Sequence, residues 1–128
     1  SDREISALFC PEFGINLLTG SAPDRYYRSN DEDLGKMMLG TCTTFSGLRH
    51  LALCDEWQQI EIGFRVTESI DFRVFPLETV SQSECGQERV YQGSVIYPCW
   101  PVKLCPGQSM SHELTWYVKR QEVAQDLD

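Results

Sequence analysis

Gln58 to Val74 reads QQIEIGFRVTESIDFRV, and this stretch decides the fold. Ile60, Ile62, Phe64 and Val66 fall on one side of an extended chain, with Gln59, Glu61, Arg65 and Thr67 on the other. Strict period two is the pattern of a strand with one face buried and one face wet. After Glu68-Ser69 the alternation resumes, with Ile70, Phe72 and Val74 set against Asp71 and Arg73. The interruption fits one long bent or bulged strand, or a hairpin that turns near Ser69. Pro76 is expected to close the run. The dense segment from Ile60 to Val66 is expected to be core and not a binding surface.

Working outward, weaker strand patterns occupy Ile5 to Phe9, Gly14 to Leu18, Lys36 to Leu39, Leu48 to Leu53, Arg89 to Tyr97 and Ser111 to Arg120. Breakers separate them at Gly20 to Asp24, Ser29 to Asp33, Cys85-Gly86 and Pro106-Gly107. Many short strands with turn chemistry between them predict an all-β, immunoglobulin-like antiparallel sandwich. One short helix is allowed within Asp24 to Met37, where Asp31, Glu32 and Asp33 would suit a helix N-terminus. Residues 1–120 are expected to form a single domain, and 121–128 a frayed tail.

Six cysteines stand at Cys10, Cys42, Cys54, Cys85, Cys99 and Cys105, with no Cys-x-x-Cys pair among them. An even number spread over strand-like sequence points to an oxidising compartment and three disulfides, against the alternative of six buried free thiols in an intracellular domain. With 41% apolar residues the chain can build a core, so bridges would reinforce packing and not replace it. No apolar run approaches the ~20 residues of a membrane span. The chain, starting at Ser1, is read as a piece of a longer secreted precursor, without membrane insertion.

The net charge of −8 argues against nucleic acid, whose phosphates demand clustered Lys and Arg. An acidic surface either keeps a secreted protein soluble, the simpler reading, or speeds encounter with a basic partner. His50 and His112 fit no zinc spacing, and neither a phosphate loop nor a nucleophile elbow occurs. No enzyme activity, cofactor or metal is therefore expected. Asp31-Glu32-Asp33 lacks the alternation of a calcium loop and reads as a solvated segment. Arg25-Tyr26-Tyr27-Arg28 is an aromatic and basic island in an acidic chain, a composition favoured at interfaces. In a strand, one of the two tyrosines would turn inward.

Several short motifs resemble a ZP-N domain, the sandwich of egg-coat proteins. Phe9-Cys10 with Phe13-Gly-Ile-Asn-Leu17 resembles that family's first cysteine and following strand. Asp33-Leu-Gly-Lys-Met-Met-Leu-Gly-Thr-Cys42 resembles the approach to its second cysteine. Glu84-Cys85-Gly86 and Val95-Ile96-Tyr97 resemble its cysteine-glycine step and its signature tyrosine strand. Within the family the acidic charge is most similar to a repeat of the abalone vitelline envelope receptor for lysin.

The resemblance implies a non-enzymatic structural and recognition module, secreted into an extracellular egg coat. Such a module would act in gamete recognition at fertilization, as a sperm receptor that binds a basic, lysin-like sperm protein and self-associates with other ZP-N modules. Tyr26, Tyr27, Asp31, Glu32 and Asp33 are then the expected partner face. The implied pairing is Cys10 with Cys99 or Cys105 and Cys42 with Cys85, leaving Cys54 for the remaining cysteine. The last strand lacks the cysteine usual there, and Cys54 competes with Cys85 for the third position. A secreted disulfide-rich cytokine or growth factor is the alternative, though no Cys-x-Gly-x-Cys spacing supports a knot.

Overall fold

In a computed structural model that describes residues 3–17, 22–84 and 86–121, the chain is an antiparallel β-sandwich. Its strands are β1 (Ile5–Phe9), β2 (Phe13–Ile15), β3 (Arg25–Arg28), β4 (Thr43–Asp55), β5 (Ile60–Ser83), β6 (Gly86–Leu104) and β7 (Leu114–Arg120). The Gln58 to Val74 pattern resolves as one strand, because β5 runs 24 residues without a hairpin at Ser69. The interruption is a bulge. Leu48 pairs with Ile70 and His50 with Arg65, so Val66 to Ser69 of β5 are spanned by Arg49 alone on β4.

That bulge makes the sandwich. Before it, β5 lies between β4 and β7; after it, β5 lies between β4 and β6. A bulge bends a strand and increases its twist, so one strand serves both layers. The even-numbered face survives the bend: Phe64, Val66, Ile70, Phe72 and Val74 are all buried. Phe13, on the strand beside β6, meets Phe64 with ring centroids 5.1 Å apart, closing the layers on each other. Tyr27 and Phe45 make a similar contact at 5.4 Å.

Pro76 does not end β5; it pairs with Ser94 inside the strand. The pairing with β4 stops at Val74, so among the described residues Pro76 lies where β5 has a partner on one side only. A missing N–H is tolerated at such an edge. From there β5 and β6 stay paired as a two-stranded ribbon as far as Ser83 opposite Gly86.

Among the described residues there is no helix. Arg25–Arg28 is a strand paired with Ala52–Asp55 of β4, and the expected strand at Lys36 to Leu39 is reduced to one bridge between Met38 and Tyr26. The acidic run does not start a helix because its carboxylates are taken up by other backbone groups, on β4 for Asp31 and within the loop for Asp33. Asp31 Oδ2 accepts the N–H groups of Arg49 and His50 at 2.7 and 2.9 Å, and Asp33 Oδ1 accepts that of Gly35 at 2.8 Å. Side-chain bonds of this kind compete with helix formation. The tail beyond Gln121 lies outside the described residues.

Cys10, Cys42, Cys54, Cys99 and Cys105 are free thiols, none at bonding distance from another. The expected Cys42–Cys85 bridge lies outside the described residues, since Cys85 is not among them. Cys54 is wholly buried, and burial together with the Glu61 carboxylate pushes its thiol up to about 12.

Candidate functional site

Where β3, β4, β5 and β7 lie side by side, the registers fix which residues share the outer face. One row runs Tyr26, Cys54, Glu61, Lys119; the next runs Arg28, Ala52, Gly63, Tyr117; the third sets His50 beside Arg65 and Thr115. These are the odd positions of β5, opposite the core-facing even ones. Ala52 and Gly63 leave a shallow floor in the middle row. A Cβ at Gly63 would fall inside the Tyr117 ring, so glycine is what lets that ring lie against the sheet.

Glu61 is the hub. It is 2% exposed and accepts Arg28 Nε and Nη2 in a forked pair, both at 3.1 Å. Tyr117 Oη donates to its Oε2 at 2.8 Å, and Lys119 Nζ stands 3.4 Å away. Burial alone would raise the Glu61 pKa. The bonds from Tyr117 and Arg28 and the charges of Arg28 and Lys119 outweigh it, and hold the carboxyl below its ordinary range. Tyr117 moves the other way, to about 12, through burial and its bond to Glu61.

His50 extends the chain of bonds. Asn30 N–H donates to His50 Nδ1 at 2.9 Å, so the neutral ring carries its proton on Nε2. Nε2–H then donates to Tyr117 Oη at 2.7 Å, and Tyr117 passes its own proton's bond to Glu61. Burial, then the Arg28 charge, lower the His50 pKa, which keeps that tautomer neutral.

Gly63→Ala gives a local test of this arrangement. The added methyl must displace Tyr117 and break its bonds to His50 and Glu61, at a cost of about 1–3 kcal/mol. If the loss runs through Tyr117, Tyr117→Phe should add little in the same background. Additive losses in denaturant melts of the two single variants and the double variant would place the Gly63 effect elsewhere.

At one end of the network a groove of about 970 Å³ opens, lined by Tyr26, Glu56, Gln59, Glu61, Lys119, Arg120 and Gln121. Tyr26 Oη donates to Glu56 Oε1 at 2.8 Å along its floor. The β4–β5 turn borders it, and Trp57 in that turn is 74% exposed. The turn is tied down on several sides. Asp55 Oδ1 accepts Gln58 N–H at 2.9 Å, Asp24 O accepts Glu56 N–H at 2.9 Å, and Gln59 O accepts Gln121 N–H at 2.7 Å. Buried Asp55 is itself held by Arg25 Nε at 3.1 Å, and the Arg25 guanidinium lies 6.0 Å from the centre of the Trp57 ring. An exposed indole on so fixed a turn is a presented surface.

The five residues expected to face a partner are divided by the fold. Tyr26 lines the groove. Tyr27 is wholly buried in the core, as strand alternation requires of its neighbour. Asp31 and Asp33 are engaged with backbone N–H groups, and Glu32 is exposed on the same loop, apart from the groove lining. Sequence reading missed Glu61, Arg28, His50, Tyr117 and Lys119 as a set. Its one visible trace was the polar side of the Gln58 to Val74 alternation.

Residues 1–114 match the family model described as Alpha-amylase/4-alpha-glucanotransferase, C-terminal. The chain is 30% identical over 124 residues to Alpha-amylase 1 of Dictyoglomus thermophilum, covering 93% of this chain and 17% of that protein. This chain thus spans about a sixth of the relative's length. No solved structure matches. These findings overturn the ZP-N resemblance, and with it the egg-coat function, the basic sperm partner, the ZP-N self-association and the cytokine alternative. The physical reason is plain in the motifs. Phe9-Cys10 and Val95-Ile96-Tyr97 are two or three residues long, and an apolar residue beside a cysteine or tyrosine suits a strand of any sandwich, while Glu84-Cys85-Gly86 is as short. A match over residues 1–114 outweighs them, and the chain belongs to the α-amylase/4-α-glucanotransferase C-terminal domain family.

Proposed function

We propose that this domain is a non-catalytic accessory unit of an enzyme acting on α-1,4-glucan, and that its outer groove holds the glucan. The observation that carries the reading is Trp57, exposed on a fixed turn whose neighbours Glu56 and Gln59 line a polar groove. A pyranose ring offers an apolar C–H face that stacks on an indole, and hydroxyls that both donate and accept. Glu56, Gln59, Lys119, Arg120 and Gln121 supply both kinds of partner. The groove volume of about 970 Å³ is at the upper end of ordinary ligand sites, about 300–1,000 Å³.

The chemistry of Glu61 supports an accessory role. Glycoside hydrolysis uses two carboxyls, one of them protonated to release the leaving group. Glu61 is held ionised and its oxygens are occupied by Arg28 and Tyr117, so it is poorly suited to donate a proton.

Affinity electrophoresis of the chain in gels containing amylose tests the reading. The expected result is retardation by amylose and none by dextran. Trp57→Ala should weaken retention about tenfold, the ~1.4 kcal/mol of one stacked ring. Equal mobility with and without amylose would refute glucan holding. New reducing ends released by the chain alone would refute the non-catalytic role.

A second reading rests on Trp116 and Val118, 63% and 56% exposed on the core-facing side of β7. Among the described residues β7 is paired with β5 alone, which leaves its other edge without a strand partner there. That rim would pack against the remainder of an amylase-type polypeptide. Trp116→Ser should leave amylose retention unchanged while improving the solubility of the chain alone.

A further inference from the structure

Away from the residues that line the outer groove, the β1–β6 ladder runs from Ile5 opposite Leu104 to Phe9 opposite Trp100. One further step of that register sets Cys10 opposite Cys99. Their sulfurs are 3.0 Å apart, although the two residues stand 89 positions apart in the sequence. Directly opposed Cα atoms in an antiparallel ladder are about 4.5–5.5 Å apart, inside the ~4.4–6.8 Å that a disulfide spans. Closing the sulfurs to the ~2.05 Å of a bond therefore asks for a small side-chain shift and no change of register.

The pair is also reachable. Both sulfur-bearing residues line a cavity of about 460 Å³, together with Cys42, Arg73, Phe75 and Tyr97. Cys10 is part-exposed and Cys99 buried. Tyr97 Oη donates to Glu12 Oε2 at 3.0 Å, which holds the segment following Cys10 against β6.

We propose that Cys10 and Cys99 are a redox pair that closes reversibly to a disulfide by exchange with low-molecular-weight disulfides entering this cavity. The Cys10 thiolate attacks one sulfur of RSSR, giving a Cys10–S–S–R mixed disulfide and one RS⁻. The Cys99 thiolate then attacks the Cys10 sulfur and expels the second RS⁻. The two thiol protons go to the two leaving thiolates, so the chain is oxidised by two electrons and RSSR is reduced to two RSH. Burial pushes the Cys99 thiol up to about 11, so the second step is the slow one and accelerates with rising pH. Closure ties the N-terminal strand to β6, independently of any glucan in the groove.

The test is equilibration of the 128-residue chain with mixtures of reduced and oxidised glutathione, acid quenching, alkylation and non-reducing peptide mapping. The expected product is a Cys10–Cys99 linked peptide that is lost in Cys10→Ser and in Cys99→Ser and kept in Cys42→Ser. The oxidised chain should also melt higher, by about 10 °C, because the bridge closes a long loop. Full alkylation of Cys10 and Cys99 after equilibration with oxidised glutathione would overturn the proposal. So would a bridge that maps to Cys42 in the native chain.

Discussion

Phe64→Ala is expected to lower stability by about 3–5 kcal/mol, the range for emptying a buried aromatic site. Phe64 is 2% exposed, packs on Phe13 across the sandwich, and is flanked by Leu51 on β4 and Trp116 on β7. It lies on the half of β5 before the bulge, so its loss removes a contact that holds the two layers together. The control is Thr67→Ala, in the exposed bulge, which should stay within ~0.5 kcal/mol of the parent. Urea melts read both. A Phe64→Ala loss below about 1 kcal/mol would mean that the even face of β5 is not the core face.

Glu61→Gln is the second large effect. Removing one partner of a buried ion pair costs about 3–5 kcal/mol, because the charge left behind loses its compensation. The Arg28 side chain is 36% exposed, so water takes up part of that loss, and about 2–3 kcal/mol is the expected figure. The variant also changes the response to acid. Glu61 and His50 both have folded pKa values below their ordinary 4.5 and 6.5, so the unfolded chain binds each proton more readily. Their stabilising contributions are complete above those ordinary values. As pH falls, the His50 share is lost first, below about 6.5, and the Glu61 share below about 4.5. Thermal melts across that range should fall steadily for the parent and flatten below about pH 4.5 for Glu61→Gln. Parallel curves would remove Glu61 from the pH dependence.

The strands were legible because alternation is a local signal. Gln58 to Val74 carries it on both sides of the bulge, since the bulge keeps Phe64, Ile70 and Phe72 on one parity. What β5 pairs with on each side of Val66 was not legible, because registers with β4, β6 and β7 are long-range matters. Pro76 misled for the same reason: whether a proline ends a strand depends on which neighbour is present beside it. The helix expected near Asp31 lost to carboxylate bonds with Arg49 and His50, residues that no local pattern connects to it. The outer-face network is composed of residues 28, 50, 61, 117 and 119, drawn from four strands. Only the register brings them together, so the sequence showed a polar face and not a hub. Trp57 had a local cue, a lone tryptophan in a polar turn, and it was overlooked in favour of the Tyr26-Tyr27 pair.

The most direct test of the central claim is amide chemical-shift mapping of the chain during titration with maltoheptaose. The account predicts progressive shifts at Glu56 to Gln59 and Lys119 to Gln121, with the Trp57 indole N–H among the largest. An unchanged spectrum at millimolar sugar, or shifts confined to β1 and β6, which do not line the groove, would contradict it.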